Sequence, residues 1–305
     1  EIASRAISGG VPKDGIPAID RPIFISKDQA DDTLSPDDIV FGVALKGEGK
    51  VKAYPRRIVA WHEIVNDEIG GEAISVTYCP LTGTAIGFHR GDTTFGVSGN
   101  LVNSNLIMYD RATDSRWPQM LGTAISGPLA GQQLKEIPVV WTTWEAWSSE
   151  HPETFVLSED TGHARDYGRD PYGRYTPKSG YYAKGDPIFP LMNKDKRLDA
   201  KSVVTGARVK EAAAFNKEIM RRDKIKTITV KEQIFTAVYN PELDTVHIYL
   251  NPEQTMFTAQ KGQYVADNKS WTADDLPLTA LNSFDAMWFA WGAFYPETGL
   301  ADGRE

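Results

Sequence analysis

The chain has one cysteine, Cys79, and one of its five histidines, His62, stands 17 residues before it. A thiol with an imidazole is the minimum for a thiolate nucleophile, because an imidazolium lowers the thiol pKa and a neutral ring takes its proton. Cys79 closes the run Ser75-Val-Thr-Tyr-Cys79 and precedes Pro80-Leu-Thr-Gly83. It is therefore expected at a strand end, where the chain turns and side chains reach a cleft. A polar group follows: Asn103, Asn105, Asp110, Arg111, Trp117 and Gln119. These amide, carboxylate, guanidinium and indole groups are candidate substrate contacts for a Cys79 nucleophile and a His62 base. On a strand, alternate residues share a face, so Asn103 and Asn105 would point one way. The same residue types also serve turns, for backbone reasons.

Two other chemistries fit the same residues. His62 and Cys79 could bind copper or zinc, with His89 and Met108 or Asp110 as further ligands, since a thiolate, two imidazoles and a thioether make a copper-type set. No tight ligand spacing joins Cys79 to His89, and the sequence fixes neither a metal nor a cofactor. Alternatively Cys79 is a small buried hydrophobe and His62 a packing residue, in a non-catalytic binding or scaffold module.

The elements that would position these groups occur twice. Val51-Lys-Ala-Tyr54-Pro-Arg-Arg-Ile58 resembles Ala212-Ala-Ala-Phe215-Asn-Lys-Glu-Ile219, and Ser75-Val-Thr-Tyr78-Cys-Pro80 resembles Thr236-Ala-Val-Tyr239-Asn-Pro241, at one offset of 161 residues. Trp144-Glu-Ala-Trp147 with Pro152-Glu-Thr154 resembles Trp288-Phe-Ala-Trp291 with Pro296-Glu-Thr298 at an offset of 144. Self-similarity of this kind points to two copies of one unit, the second having lost residues from its middle. Cys79 then faces Asn240 and His62 faces Asp223, and the stretch from Asn103 to Arg111 has no counterpart. One working copy and one degenerate copy is the expectation.

The spacing predicts a helix over residues 55–69, opened by Pro55, carried by Ile58, Trp61, Ile64 and Val65, and ended by Gly70-Gly71. Strands are expected over 73–78, 85–89, 93–97 and 105–109, with turns at Gly83, Gly91-Asp92 and Gly99-Asn100. Residues 40–53 read as a hairpin around a glycine-containing turn, and 144–150 as a short amphipathic helix. The expected fold class is α+β, in two related, antiparallel-β-rich domains. Residues 1–38 form an N-terminal arm, 39–157 the first repeat with the site, 158–199 a Tyr/Gly/Pro-rich connecting strap, and 200–305 the second, degenerate repeat. The strap's tyrosines are expected to pack between the domains.

Composition sets outer bounds. With 305 residues, 41% hydrophobic and 24% charged, the chain is an ordinary globular sequence long enough for two domains. A net charge of −8 argues against nucleic acid and anionic membrane partners. No apolar run approaches the ~18 residues of an integral membrane segment. A small-molecule or peptide ligand remains the expected partner, and oligomeric state is not written in the sequence.

Beyond these arguments, Asp14-Gly-Ile-Pro-Ala-Ile-Asp20, Ala53-Tyr-Pro55, Trp61-His-Glu-Ile-Val-Asn-Asp67, Thr77-Tyr-Cys-Pro-Leu-Thr-Gly83, Phe95-Gly-Val-Ser-Gly99, Asn103-Ser-Asn-Leu106, Met108-Tyr-Asp-Arg111 and Arg165-Asp-Tyr-Gly168 resemble the DUF3179 family, from about residue 9 to 300. The resemblance brings no assigned activity. It implies an exported, periplasmic or extracellular protein of bacterial or archaeal type, in keeping with a chain that begins at Glu1 rather than Met. Some relatives carry a second cysteine where Thr82 stands, so a dithiol centre reduces here to a lone thiol.

Overall fold

The computed structural model describes residues 2–45, 51–175, 177–183 and 185–303. Among the described residues sheets dominate, nearly all antiparallel, with five short α-helices. The chain divides into two compact units, residues 1–192 and 193–305.

In the first unit the order is β1 (Ile7–Ser8), β2 (Phe24–Ser26), α1 (Lys27–Asp31), β3 (Ile39–Ala44), β4 (Val51–Pro55), α2 (Arg56–His62), β5 (Ile64–Ile69), β6 (Glu72–Cys79), β7 (Thr84–His89) and β8 (Phe95–Val102). It continues with β9 (Asn105–Asp110), β10 (Arg116–Pro118), β11 (Glu136–Ile137), β12 (Val140–Thr143), α3 (Trp144–Glu150) and β13 (Phe155–Leu157). Three sheets result, with strand orders β1-β8-β9-β10, β11-β7-β6-β5 and β12-β3-β4-β13-β2. The β3–β4 pairing matches the expected hairpin, whose tip at 46–50 lies outside the described residues.

Alternation along β6 sets the first unit's layers. Ile74, Val76 and Tyr78 enter an apolar core with Phe41, Tyr54 and Ile58. Ser75, Thr77 and Cys79 face the opposite way, toward Asn66, Gln119 and the start of β9. The N-terminal segment joins all three sheets: Ile7 pairs with Leu101, Ile19 bridges Val65, and β2 pairs with β13.

Two sequence expectations are corrected. The helix predicted over 55–69 ends at His62. Glu63 takes a left-handed conformation (φ 58°) that stops it, and residues 64–69 form β5, paired with β6 around Gly70-Gly71. Ile64 and Val65 fit helical spacing and strand burial equally, so spacing alone could not separate the two. The turn expected at Gly99-Asn100 is instead a register shift within β8. The reversal comes at Asn103 and Ser104, both at positive φ (51° and 63°), in a two-residue hairpin turn. Asn103 therefore sits in a turn and not on a shared strand face with Asn105.

The second unit runs β14 (Val203–Arg208), β15 (Ala212–Asn216), α4 (Lys217–Asp223), β16 (Ile225–Val230), β17 (Gln233–Asn240), β18 (Thr245–Leu250) and β19 (Thr258–Gln260). Then come β20 (Gln263–Ala266), β21 (Lys269–Trp271), β22 (Thr279–Leu281), β23 (Ser283–Met287), α5 (Trp288–Phe294) and β24 (Gly299–Ala301). Its sheets are β23-β14-β15-β24, β16-β17-β18-β22 and the small meander β19-β20-β21. Each unit contains one parallel strand pair, β13 with β4 and β24 with β15.

Candidate functional site

Cys79 ends β6, buried between two sheets. Its Sγ accepts a hydrogen bond from the Leu106 amide at 3.4 Å and lies 3.7 Å from the Ser104 carbonyl. Burial, reinforced by the nearby Glu63 carboxyl, pushes its thiol up to about 11. This is the environment of a protonated thiol, not of an activated one.

Most of the polar residues chosen from the sequence bond to each other or to backbone. The Asn105 amide donates to Thr82 Oγ1 (3.0 Å) and Gln119 Oε1 (2.9 Å), while its oxygen accepts from the Met120 amide. Gln119 donates to Thr77 Oγ1 and the Thr84 carbonyl and accepts from Thr84 Oγ1. All their donors and acceptors are engaged in joining the sheets. The Asn103 oxygen accepts from the Met192 amide. Asp110 takes hydrogen bonds from Thr113 and from the indole of buried Trp117. Arg111 reaches Asp20 and Thr94. Asn105 and Gln119 thus tie β9 and the end of β10 to β6 and β7, whereas Asp110, Arg111 and Trp117 bond among residues at the other end of β9.

His62 is tied elsewhere. Its Nδ1 lies 2.7 Å from the Pro17 carbonyl, which can only accept, so that nitrogen carries the proton. Nε2 then accepts from the Tyr167 hydroxyl at 2.6 Å, and Tyr167 accepts in turn from Thr161. Burial lowers the imidazole to about 4, against a smaller opposing effect of the Pro17 contact. The neutral ring thus fastens residues 161–167 and the N-terminal segment to α2, with neither nitrogen directed at Cys79.

Residues 165–175 and 177–182 form a tyrosine-rich strap that meets α2. Tyr167 and Tyr182 are buried. Tyr181 donates to the Leu81 carbonyl at 2.7 Å, Tyr182 meets Tyr78 at 3.2 Å, and the Tyr175 ring packs on Trp141 at 5.0 Å. Arg56, only 8% exposed, pairs with Asp170 and donates to Tyr182 at 3.1 Å. These partners all belong to the first unit.

Glu63 was not among the residues the sequence singled out. It is 6% exposed, and among the described residues its carboxyl has no hydrogen-bond or ion-pair partner. Burial raises its pKa to about 8. Its charge would be felt by Cys79 and Tyr172. The only sequence hint is its position after a helix and before an apolar strand, a place shared by many ordinary surface acids.

Strap and helix enclose a polar cleft of about 250 Å³, lined by Asp37, Asp38, Arg56, Arg57, Tyr167, Asp170, Arg174 and Tyr175 among others. Arg56 and Arg57 are paired with acids, whereas Arg174 and Asp37 are exposed and have no side-chain partner among the described residues. No group of three or more His, Cys, Asp or Glu side chains is gathered for a metal among the described residues, and His89 lies beside Glu72. No helix among them is long and apolar enough to cross a membrane.

Comparison with characterised proteins and with solved structures gave no match. A family profile described as "Protein of unknown function (DUF3179)" matches residues 13–298, and the chain belongs to that family.

Proposed function

We propose that this is a ligand-binding protein whose first unit holds a small polar molecule between α2 and the tyrosine strap. The observation that supports this best is the cleft itself: it is walled by a segment whose anchors beside it are Arg56 with Asp170 and His62 with Tyr167. With Arg56 and Arg57 already paired, the spare charges are Arg174 and Asp37, one of each sign. They suit a zwitterion of amino-acid size, with Tyr175 and Tyr167 as its apolar wall. Calorimetric titration and thermal shift with free amino acids and betaines test the reading. At least one should bind, and Arg174→Ala should weaken it about tenfold, a loss of ~1.4 kcal/mol, without lowering the melting temperature of the free protein. Absence of any response at millimolar concentration rejects it.

The thiol-dependent enzyme is disfavoured by the raised Cys79 thiol and by the engagement of both His62 nitrogens. Iodoacetamide separates the readings: an activated thiol is alkylated within minutes at pH 7, and a structural one only on unfolding.

We also infer that the two units descend from one duplicated unit, the second having lost most of the β8–β10 region. Matching orders of strands and helices, and one parallel pair at the same place in each, support this. Superposition of experimentally determined structures of the two units tests it, with Tyr78 expected on Tyr239 and Trp147 on Trp291.

A further inference from the structure

The first unit has another cavity, of about 290 Å³, between α1, the start of α2 and the end of β13. Its floor is aliphatic. Ile58 and Leu157 reach it from the core that holds Phe41 and Tyr54, and Ile25, Leu34 and Val156 from the core around Trp144 and Trp147. The cavity opens where these two apolar cores meet. Exposed Gln29, Thr33 and Glu159 stand at its mouth. Among the described residues that line it, the one cation is Arg57, which also lines the polar cleft and so stands in the wall between the two.

A guanidinium grips a carboxylate best through two parallel N–H groups. Arg197 holds Asp195 in this way, Nε at 3.0 Å and Nη2 at 2.7 Å, and Arg221 holds Asp244 at 2.7 Å and 2.6 Å. Arg57 has the same fork half filled. Its Nη2 pairs with Glu159 at 2.7 Å and donates to the Thr33 carbonyl at 3.1 Å, and its Nη1 lies 3.7 Å from Asp38. Its Nε–H is buried and donates to nothing among the described residues. A buried donor left unmet is costly. The pair with exposed Glu159 is worth little, because water screens it. Glu159 is therefore the partner that a better-placed carboxylate displaces.

We propose that this cavity is a binding site, separate from the polar cleft, for an aliphatic monocarboxylate. The carboxylate takes Nε and Nη2 of Arg57 in place of Glu159, and the chain lies on Ile25, Leu34, Ile58, Val156 and Leu157. Volume sets the length of the chain. At ~30 Å³ for a water-sized group, the cavity holds about ten non-hydrogen atoms, the size of octanoate. The chain supplies the affinity, since each buried methylene strengthens binding by up to about fourfold. Arg57 supplies the choice of head group, because a neutral amphiphile leaves the fork half filled. The amino-acid titrations of the polar cleft use other ligands and Arg174, so either site fails without the other.

The test is calorimetric titration of the full chain at neutral pH with butanoate, hexanoate, octanoate and decanoate, and with octan-1-ol. Affinity should rise with each methylene as far as octanoate and level off at decanoate, and octan-1-ol should bind about tenfold more weakly than octanoate. Glu159→Gln removes the competing carboxylate and should tighten octanoate binding. Arg57→Gln should weaken it about tenfold or more. Arg57→Lys keeps the charge and loses the fork, and should also weaken it. If Arg57→Gln does not fold, Arg57→Lys and the alcohol carry the comparison. Any of four results overturns the proposal: no dependence on chain length, octan-1-ol bound as tightly as octanoate, no tightening in Glu159→Gln, or octanoate affinity unchanged in the Arg57 variants. The last would mean that the chains merely adsorb on exposed apolar surface.

Discussion

Each unit carries a tryptophan over a glycine. Trp147 covers Gly42 and bonds Thr154 at 3.0 Å; Trp291 covers Gly206 and bonds Thr298 at 3.0 Å. In both, a Cβ on the glycine would come within 2.2 Å of the ring. The units diverge where a buried cation must be neutralised. In the second, Lys217 meets Asp285, which stands opposite Thr205 on β23. In the first, Trp141 stands opposite Phe41 at the corresponding register, and Arg56 finds its acid in Asp170 of the strap. The second unit neutralises its base from its own sheet, while the first depends on a segment that also walls a cleft. The apolar frame is shared, and the differences lie in where polar groups find partners.

The largest effects should be common to both frames. Trp147→Ala and Trp291→Ala should each cost about 3–5 kcal/mol in denaturant unfolding. A much smaller loss in one would mean that the two tryptophans do not hold equivalent cores. Asp170→Asn tests the divergence. It leaves Arg56 buried without its acid, at a cost of about 3–5 kcal/mol. Adding Trp141→Asp should restore part of that by supplying the acid from β12, as Asp285 does from β23. If Trp141→Asp gives no rescue in the Asp170→Asn background, the register correspondence is wrong.

The sequence made the frame legible because alternating apolar runs and the repeated tryptophan pattern depend on local period. The strands expected over 73–78, 85–89 and 105–109 match β6, β7 and β9 to within one residue at each end. It misread the end of α2, where a left-handed glutamate, not a glycine, stops the helix. The site was harder to read for a physical reason. Asn105 and Gln119 have the side chains of a ligand-binding surface, and only their mutual bonds identify them as framework. Arg56 and Asp170 meet across 114 residues. Glu63 has no local mark at all, because burial of an acid is decided by what packs over it.

A mid-sized effect concerns how the strap is fastened. Tyr167→Phe removes the donor to His62 Nε2 and leaves a buried acceptor unmet. The expected loss is about 1–3 kcal/mol, with faster proteolysis confined to the neighbourhood of residues 161–167. If stability is unchanged, water replaces the hydroxyl and the histidine does not hold the strap.

The smallest effect belongs to the second unit's counterpart of His62. Asp223 lies at the same place at the end of α4, and its contacts are with Arg222 and Lys226 at the surface. Those two bases lower its carboxyl to about 2, chiefly through the Arg222 hydrogen bond. Exposed pairs of this kind gain little, because solvent and salt screen them. Asp223→Ala should therefore leave the denaturation midpoint unchanged at physiological salt, whereas His62→Ala, which strands Pro17 and Tyr167 and opens a cavity, should lower it clearly. A clear loss for Asp223→Ala would mean that this helix end does structural work in both units. The special standing of His62 would then come from its position rather than from the strap.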